Sequence, residues 1–545
     1  MSFYNYMSKI GVLVLEKSGS IDDLNKIKSM GLSEQDFEQI KEHGVSLENI
    51  KKELAIFKKG IAKMELLEAA TVGNGILKLT DTDFVEKATF FDTHKSNLKL
   101  LKFVPASGAA SRMFKFLTAF LNEFNIEKET INAYINRKKD TKLPVFIVGM
   151  EKLPFFEIIY NRLKEEFPNF DSLSRDYKNY YFIKLMLDAK YFDFASKPKG
   201  ILPFHKYISK IATPIEEHLY ECGYYSSTNN KSYLHFTVSE SHQEQFEQII
   251  NTVKDKVEKE TQTSIEVSYS YQDKSTDTIA VTMHDKAFRT EEGKLLFRPG
   301  GHGALIGNLN QLDADIIFIK NIDNVILHNN EKIALYKKAL AGILLELQQQ
   351  IFACLNLIDL YTIDDKQIEE IKIFLKEKLN MDIKSDFDLY TIENKIKVLK
   401  NVLNRPIRVC GMVINEGEPG GGPFWVKSTE KEVSLQIVES SQVDLNNKKQ
   451  AKIMANATHF NPVDLVCATK NYKNEKFDLH QFVDENSGFI VEKNYQGKDI
   501  KGYELPGLWN GAMANWLTVF VEVPLITFNP VKTVNDLLKE AHQSK

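Results

Sequence analysis

Residues 98–124 read LKLLKFVPASGAASRMFKFLTAFLNEF. The first nine, LKLLKFVPA, form a short apolar strand candidate, and SGAA is a turn of small side chains. SRMFKFLTAFLNEF (111–124) places apolar residues at helical spacing. Strand, small-residue turn and helix together form the repeating unit of parallel α/β sheets. The pattern extends outward from there. KLPVFIVGM (142–150) reads as a second apolar strand and FFEIIYNRLKEEF (155–167) as a second helix. KSYLHFTV (231–238) is a third strand, and Ser241 with Glu244 is placed to cap the helix that follows. IEVSYSYQ (265–272) alternates, while ADIIFIKNID (314–323) is continuously apolar until its polar end. Such strands, separated by helices, predict a mostly parallel sheet with both faces covered.

The chain has 545 residues, and one hydrophobic core rarely grows beyond about 250–300, so two or three domains are expected. MGLSEQDFEQIKEHG and VSLENIKKELAIFKKG predict two helices that start at Ser33 and Ser46 and stop at Gly44 and Gly60, within a helical stretch from 20 to 65. Residues 331–400 are helical throughout, and 405–415, 433–440 and 518–526 return to strand patterns. The division predicted is an N-terminal helical region (1–95), an α/β core (96–330), a helical insertion (331–400) and a strand-rich portion completing the core (401–545). Net charge is −4 with no strongly basic block, which disfavours a role centred on duplex nucleic acid. Cys222, Cys354, Cys410 and Cys467 are widely spaced and read as buried thiols. No secretory signal and no apolar run of membrane-spanning length is read from the sequence, and a cytoplasmic protein is expected.

Four stretches carry chemistry. In VPASGAASRMFK (104–115), Ser107, Gly108, Ala109 and Ala110 let a phosphate approach backbone N–H groups, and Arg112 and Lys115 add charge. The same small residues also suit close helix–sheet packing. In FRPGGHGALIG (297–307), Gly301, His302 and Gly303 could wrap a base or sugar, or His302 could fix its own loop. The strand after it ends in Asn321-Ile322-Asp323-Asn324, where Asp323 offers Mg²⁺ a hard oxygen. GEPGGGP (417–423) places Glu418 and Gly421, after Glu416, where a sugar or diphosphate could be enclosed. TFNPVKTVNDLLKEA (527–541) puts Lys532 close to a strand end as a point charge for phosphate. Lys286, Arg289, His205, Asn456, His459 and Asp464 are weaker candidates, with Asp464 a second metal ligand or a helix cap.

Taken in order, these motifs resemble the UDP-sugar pyrophosphorylase superfamily, which includes the UDP-N-acetylglucosamine and UDP-glucose enzymes. Nearly the whole chain resembles an uncharacterised bacterial domain family related to it. The resemblance implies a Rossmann-like nucleotide-diphospho-sugar transferase core. It implies that VPASGAASRM holds nucleotide phosphates with Arg112, that Gly301-His302-Gly303 contacts nucleotide and sugar, that Asp323 binds the metal, and that Lys532 contacts phosphate. PASGAAS departs from the superfamily's first loop, which has adjacent glycines; only Gly108 remains. The activity so implied is Mg²⁺-dependent transfer of a nucleotide, UTP favoured, to a sugar 1-phosphate with release of pyrophosphate. A glycosyltransferase and a non-catalytic nucleotide-sugar sensor are the alternatives. The partners implied are a nucleoside triphosphate and a sugar 1-phosphate, with no nucleic acid and no membrane; residues 331–400 could supply an oligomer contact.

Overall fold

The computed structural model of the protein describes residues 29–360, 363–384, 386–418, 420–427 and 433–544. The part of the N-terminal helical reading before residue 29 lies outside the described residues, as does Pro419. Helix α1 (Glu34–His43) starts at Ser33 with a capping box: Asp36 N–H donates to Ser33 Oγ at 3.2 Å, and Ser33 N–H donates to Asp36 Oδ2 at 2.7 Å. Gly44 ends it in the left-handed conformation, φ 85°. Helix α2 (Leu47–Lys59) is capped by Ser46 and stops at Gly60. The apolar faces of both helices close over Ile279, Val281, Leu295 and Tyr503.

Ten strands form the central sheet: β1 (Thr71–Val72), β2 (Gly75–Leu77), β3 (Leu100–Pro105), β4 (Ser227–Thr228), β5 (Lys231–Thr237), β6 (Ser264–Ser270), β7 (Ile316–Ile319), β8 (Ile407–Met412), β9 (Asp464–Ala468) and β10 (Leu517–Glu522). Their order is β1-β2-β10-β8-β9-β7-β3-β5-β4, with β6 beside β5. The β1–β2, β2–β10, β10–β8, β7–β3, β3–β5 and β5–β6 pairs are parallel. β9 runs against both its neighbours and β4 against β5. The sheet is therefore mostly parallel, and the carboxyl ends of β3, β5, β7, β8 and β10 share one edge with the amino end of β9.

Nine further helices bear on the argument: α3 (Asp81–His94), α4 (Lys115–Glu123), α5 (Lys142–Gly149), α6 (Pro214–Tyr225), α7 (Gln243–Thr261), α8 (Leu305–Gln311), α9 (Asn330–Asp359), α10 (Asp365–Leu379) and α11 (Ile392–Leu403). Strand alternation divides the core. Leu100, Ile316 and Phe318 pack with Phe91 of α3 and Leu340 of α9 on one face, while Leu101, Phe103, Ile317 and Ile319 pack with Leu305 and Leu309 of α8 on the other. A third, aromatic-rich core fills the excursion between β3 and β5, where Phe114, Phe120, Phe146 and Phe182 meet Val531 and Leu537 from the far end of the chain.

Two expectations are corrected. KLPVFIVGM is helix α5 rather than a strand. Asp140 Oδ1 accepts the N–H groups of Lys142 and Leu143 at its start, Leu143 and Phe146 are buried, and Val145 and Val148 are exposed. A short apolar run does not distinguish the two states, and Pro144 sits in a first turn that needs no N–H. Helix α7 takes no cap from Ser241; a turn over Glu240–His242 precedes it, where Ser239 Oγ and His242 Nδ1 lie 2.6 Å apart. Helix α9 passes for a membrane-crossing helix by length and composition alone. It packs here against α3, β8 and β9. All four cysteines are free, three of them buried.

α3 and α9 approach backbone to backbone, since a Cβ on Gly342 would collide with the carbonyl oxygen of Lys87. Gly342→Ala should cost about 1–3 kcal/mol of stability, read as a lower midpoint in urea unfolding.

Candidate active site

At the carboxyl edge of the sheet, two motifs distant in sequence brace each other. Asn324 Oδ1 accepts the Asn529 N–H at 2.8 Å, Asn324 Nδ2 donates to Thr527 O at 3.2 Å, and Asn324 pairs with Pro530 in an isolated bridge. Val531 N–H donates to Asp323 O at 3.1 Å. The segment after β7 and the segment after β10 are thus one structural piece, which brings Asp323 and Lys532 to the same edge.

The carboxylate of Asp323 is met by Lys199, whose Nζ lies 2.6 Å from Asp323 Oδ2 and 2.7 Å from Val531 O. Lys199 follows Pro198, which bridges to Ala109, and Ala110 N–H donates to Lys197 O at 2.8 Å. The loop after β3 is therefore tied to Asp323 through residues 197–199. Sequence reading missed Lys199. Its only local signal is the basic, proline-bearing KPKG (197–200), and nothing in that stretch points to Asp323.

Ala106 N–H is used by Thr237 O, but the N–H groups of Ser107, Gly108 and Ala109 find no acceptor among the described residues. Gly108 and Ala109 are exposed, and the space beside Gly108 is open for at least 4 Å. Arg112 is exposed and unpaired among the described residues. Lys532 Nζ pairs with Glu418 Oε2 at 2.9 Å and stands 5.0 Å from the centre of the Phe460 ring. Free backbone donors with an exposed cation nearby in the chain suit phosphate oxygens.

The other expected residues are engaged elsewhere. His302 Nδ1 accepts the Leu508 N–H at 3.0 Å, and its ring stacks on Trp509 at 4.4 Å. Desolvation holds that imidazole down at about 4. A Cβ on Gly303 would strike Pro506 O, and Gly301, φ 81°, faces Glu504. This Gly-His-Gly turn is fastened to residues 504–509. Gly421 is buried against Val438 O, where the hairpin Gly422–Lys427 and Val433–Val438 leaves no room for a side chain. Asp464 is 5% exposed and pairs with Lys337 of α9 at 2.5 Å, so that its carboxylate is committed inward. Arg289 makes two 2.7 Å bonds to Asp36 and secures α1. His459 pairs with Glu522 at 3.0 Å, and the Asn456 N–H closes the helix Lys448–Ala455.

A buried charge network underlies the edge. Glu221 of α6 accepts from Lys102 of β3 at 2.6 Å and from Lys320 at 2.5 Å. Burial disfavours its charged form, but the two ammonium groups outweigh that and hold its carboxyl well below the usual range. Burial lowers Lys337 to about 8 against the opposing pull of Asp464. Nearby His218 Nε2 contacts Ile322 O at 3.2 Å, one residue from Asp323.

The amino-acid pattern of residues 33–543 matches the family described as "Domain of unknown function (DUF4301)". The chain belongs to the DUF4301 family. No curated protein matches this DUF4301 chain. Among solved structures it is similar to three mutants of UDP-glucose pyrophosphorylase from Leishmania major in complex with UDP-glucose. One is 11% identical with a TM-score of 0.39, over 93% of this chain and 80% of that one. A second is 11% identical with a TM-score of 0.41, over 96% and 79%. A third is 10% identical with a TM-score of 0.38, over 93% and 80%.

No group of three His, Cys, Asp or Glu side chains poised for a metal occurs among the described residues. Besides Glu418, which is taken up by Lys532, the site offers Asp323, with its Oδ2 on Lys199 and its Oδ1 free of partners among the described residues. Mg²⁺ is commonly held by one or two carboxylates with substrate phosphates and water completing its shell. This DUF4301 site fits such an ion only as a companion of bound phosphate.

The segment that carries Lys532 is latched by buried histidines. His205 Nε2 and His542 Nδ1 lie 2.9 Å apart, and His205 Nδ1 lies 2.7 Å from Glu217 Oε1. Burial, and then the neighbouring His205, push His542 down to about 3. An unfolded histidine titrates near 6.5. Between those values the unfolded chain binds a proton that the folded one refuses, so stability is lost as pH falls from about 6.5 toward 3. The unfolding free energy from urea titrations should drop over this window by up to about 1.4 kcal/mol per pH unit for this group, and the slope should be shallower in His542→Asn.

Proposed function

We propose that the protein is a nucleotidyltransferase that joins a nucleoside triphosphate, UTP favoured, to a sugar 1-phosphate and releases pyrophosphate. The observation that carries the reading is the meeting of the unused N–H groups of Ser107–Ala109 with Lys199, Asp323 and Lys532 at one sheet edge, built from four separate parts of the chain. The order of the motifs supports it as well.

In this reading an oxygen of the sugar phosphate attacks the α-phosphorus and forms a P–O bond, while the bond from the α-phosphorus to the oxygen it shares with the β-phosphorus breaks and that oxygen leaves with pyrophosphate. The loop N–H groups and Arg112 orient the triphosphate. Lys532 exchanges Glu418 for a phosphate oxygen and offsets the charge that leaves with pyrophosphate. Mg²⁺, held by Asp323 together with the phosphates, would supply further neutralisation. Lys199 fixes the Asp323 carboxylate in place. Positioning and electrostatics carry such a reaction, and no protein nucleophile is needed.

One observation favours a second reading. Lys199 already neutralises Asp323, which suits a sensor that binds a nucleotide sugar without turning it over. Pyrophosphate release, measured with Mg²⁺ across four nucleoside triphosphates and common sugar 1-phosphates, separates the two. Turnover in one combination, reduced on the order of 10²–10³-fold in Asp323→Ala with the fold intact, is the expected result. Binding of nucleotide sugar with no turnover in any combination would sink the transferase and leave the sensor. Where turnover is found, Lys532→Ala should lower kcat/KM on the order of 10–100-fold and weaken inhibition by pyrophosphate, as removal of one phosphate contact requires.

A further inference from the structure

A second cavity, of about 270 Å³, lies between helix α2, residues 275–277, the turn that opens α8, and the segments 480–485 and 503–506. None of Ser107–Arg112, Lys199, Asp323 or Lys532 lines it. Its apolar wall is formed by Ile306, Val483, Leu505 and Pro506. Two polar side chains are buried in its lining, Glu53 at 5% exposure and Tyr503 at 4%. Glu53 Oε2 accepts the Ile279 N–H at 2.8 Å, while its other oxygen has no partner among the described residues. The Tyr503 hydroxyl also lacks one among the described residues, its residue being joined through the backbone oxygen to Thr278 at 2.8 Å.

No cation forms an ion pair with Glu53 among the described residues. The adjacent Lys52 turns outward to Glu485 at 2.6 Å, where both side chains are about half exposed or more (48% and 61%). Asp277, a further carboxylate in the lining, takes His43 at 2.8 Å. The wall thus presents Glu53, Asp277 and Glu485 against the single ammonium of Lys52. Burial pushes the Glu53 carboxyl up to about 8, as is the rule for a buried acid that lacks a counter-ion.

We propose that this cavity binds a small organic cation, whose ammonium or amidinium group pairs with Glu53 while its apolar body rests on Ile306, Leu505 and Pro506. An uncompensated acid in an apolar lining is costly, and a cation carried in by a ligand forms with it a charge-assisted hydrogen bond in a setting of low dielectric. The negative balance of the rim favours the entry of a cation over an anion. The volume admits one ring with a short substituent and is smaller than a drug-sized site. The site is separate from the cluster on which the nucleotide reading rests, because it contains none of Ser107–Arg112, Lys199, Asp323 and Lys532.

Isothermal titration of the full chain with benzamidine, with its uncharged isostere benzamide, and with the aliphatic cation agmatine tests this. Benzamidine or agmatine should bind one per chain, and benzamide at least tenfold more weakly than benzamidine. Glu53→Gln retains the acceptor for Ile279 N–H and the side-chain shape, so it should keep or raise the thermal midpoint while weakening cation binding at least tenfold. Cation binding as tight in Glu53→Gln as in the unaltered chain, benzamide binding equal to benzamidine, or no binding of either cation would overturn the proposal. Should Glu53→Gln lower the thermal midpoint, Lys52→Met decides in its place. Removal of the competing ammonium should tighten cation binding, and unchanged or weaker binding counts against the site.

Discussion

The Glu221 carboxylate is the constraint on which the sheet's interior depends. It joins helix α6 to two parallel neighbours, β3 through Lys102 and the end of β7 through Lys320, and all three side chains are withdrawn from water. Ions so placed repay their desolvation only through close mutual contact, and loss of one partner strands the others. The arrangement fixes where β3 and β7 end relative to each other. Those two ends carry the loop at Ser107–Ala110 and the Asp323 turn. The distance across which a phosphate could be shared between them is therefore set from below by a buried ionic knot.

Much of this was legible in the sequence. The capping residues Ser33 and Ser46 act through bonds within one turn, and such bonds are independent of tertiary context. The strands at 231–238, 314–323 and 405–415 were readable because β5, β7 and β8 are buried enough to leave continuous or alternating apolar patterns. KLPVFIVGM failed for the complementary reason. Its burial is one-sided in a way that eight residues cannot display, and its start depends on Asp140, outside the apolar run.

The candidate site was less legible, since its main connection is long-range. Asp323 and Lys532 could be singled out as polar residues beside strand ends. The lysine that meets Asp323 comes from residue 199, and only the folded chain places it there. The opposite error attends glycine-rich stretches. Gly303 and Gly421 look like accommodation for a ligand, but the atoms that approach them are the chain's own carbonyl oxygens at Pro506 and Val438. A glycine reports close approach without saying to what. His302, between two glycines, is likewise spent on Leu508 and Trp509.

The bracing of Asn324 by residues 527–530 also bears on the order of events during synthesis. β3, β5 and β7 are made early and can pair among themselves, yet β10 inserts between β2 and β8, and the segment behind it supplies both Lys532 and the His542 latch. A ribosome-bound chain that has reached residue 400 therefore holds half a sheet with an open margin and no completed cleft. Such an intermediate presents unpaired strand backbone for as long as translation of the last quarter takes, a natural target for chaperones.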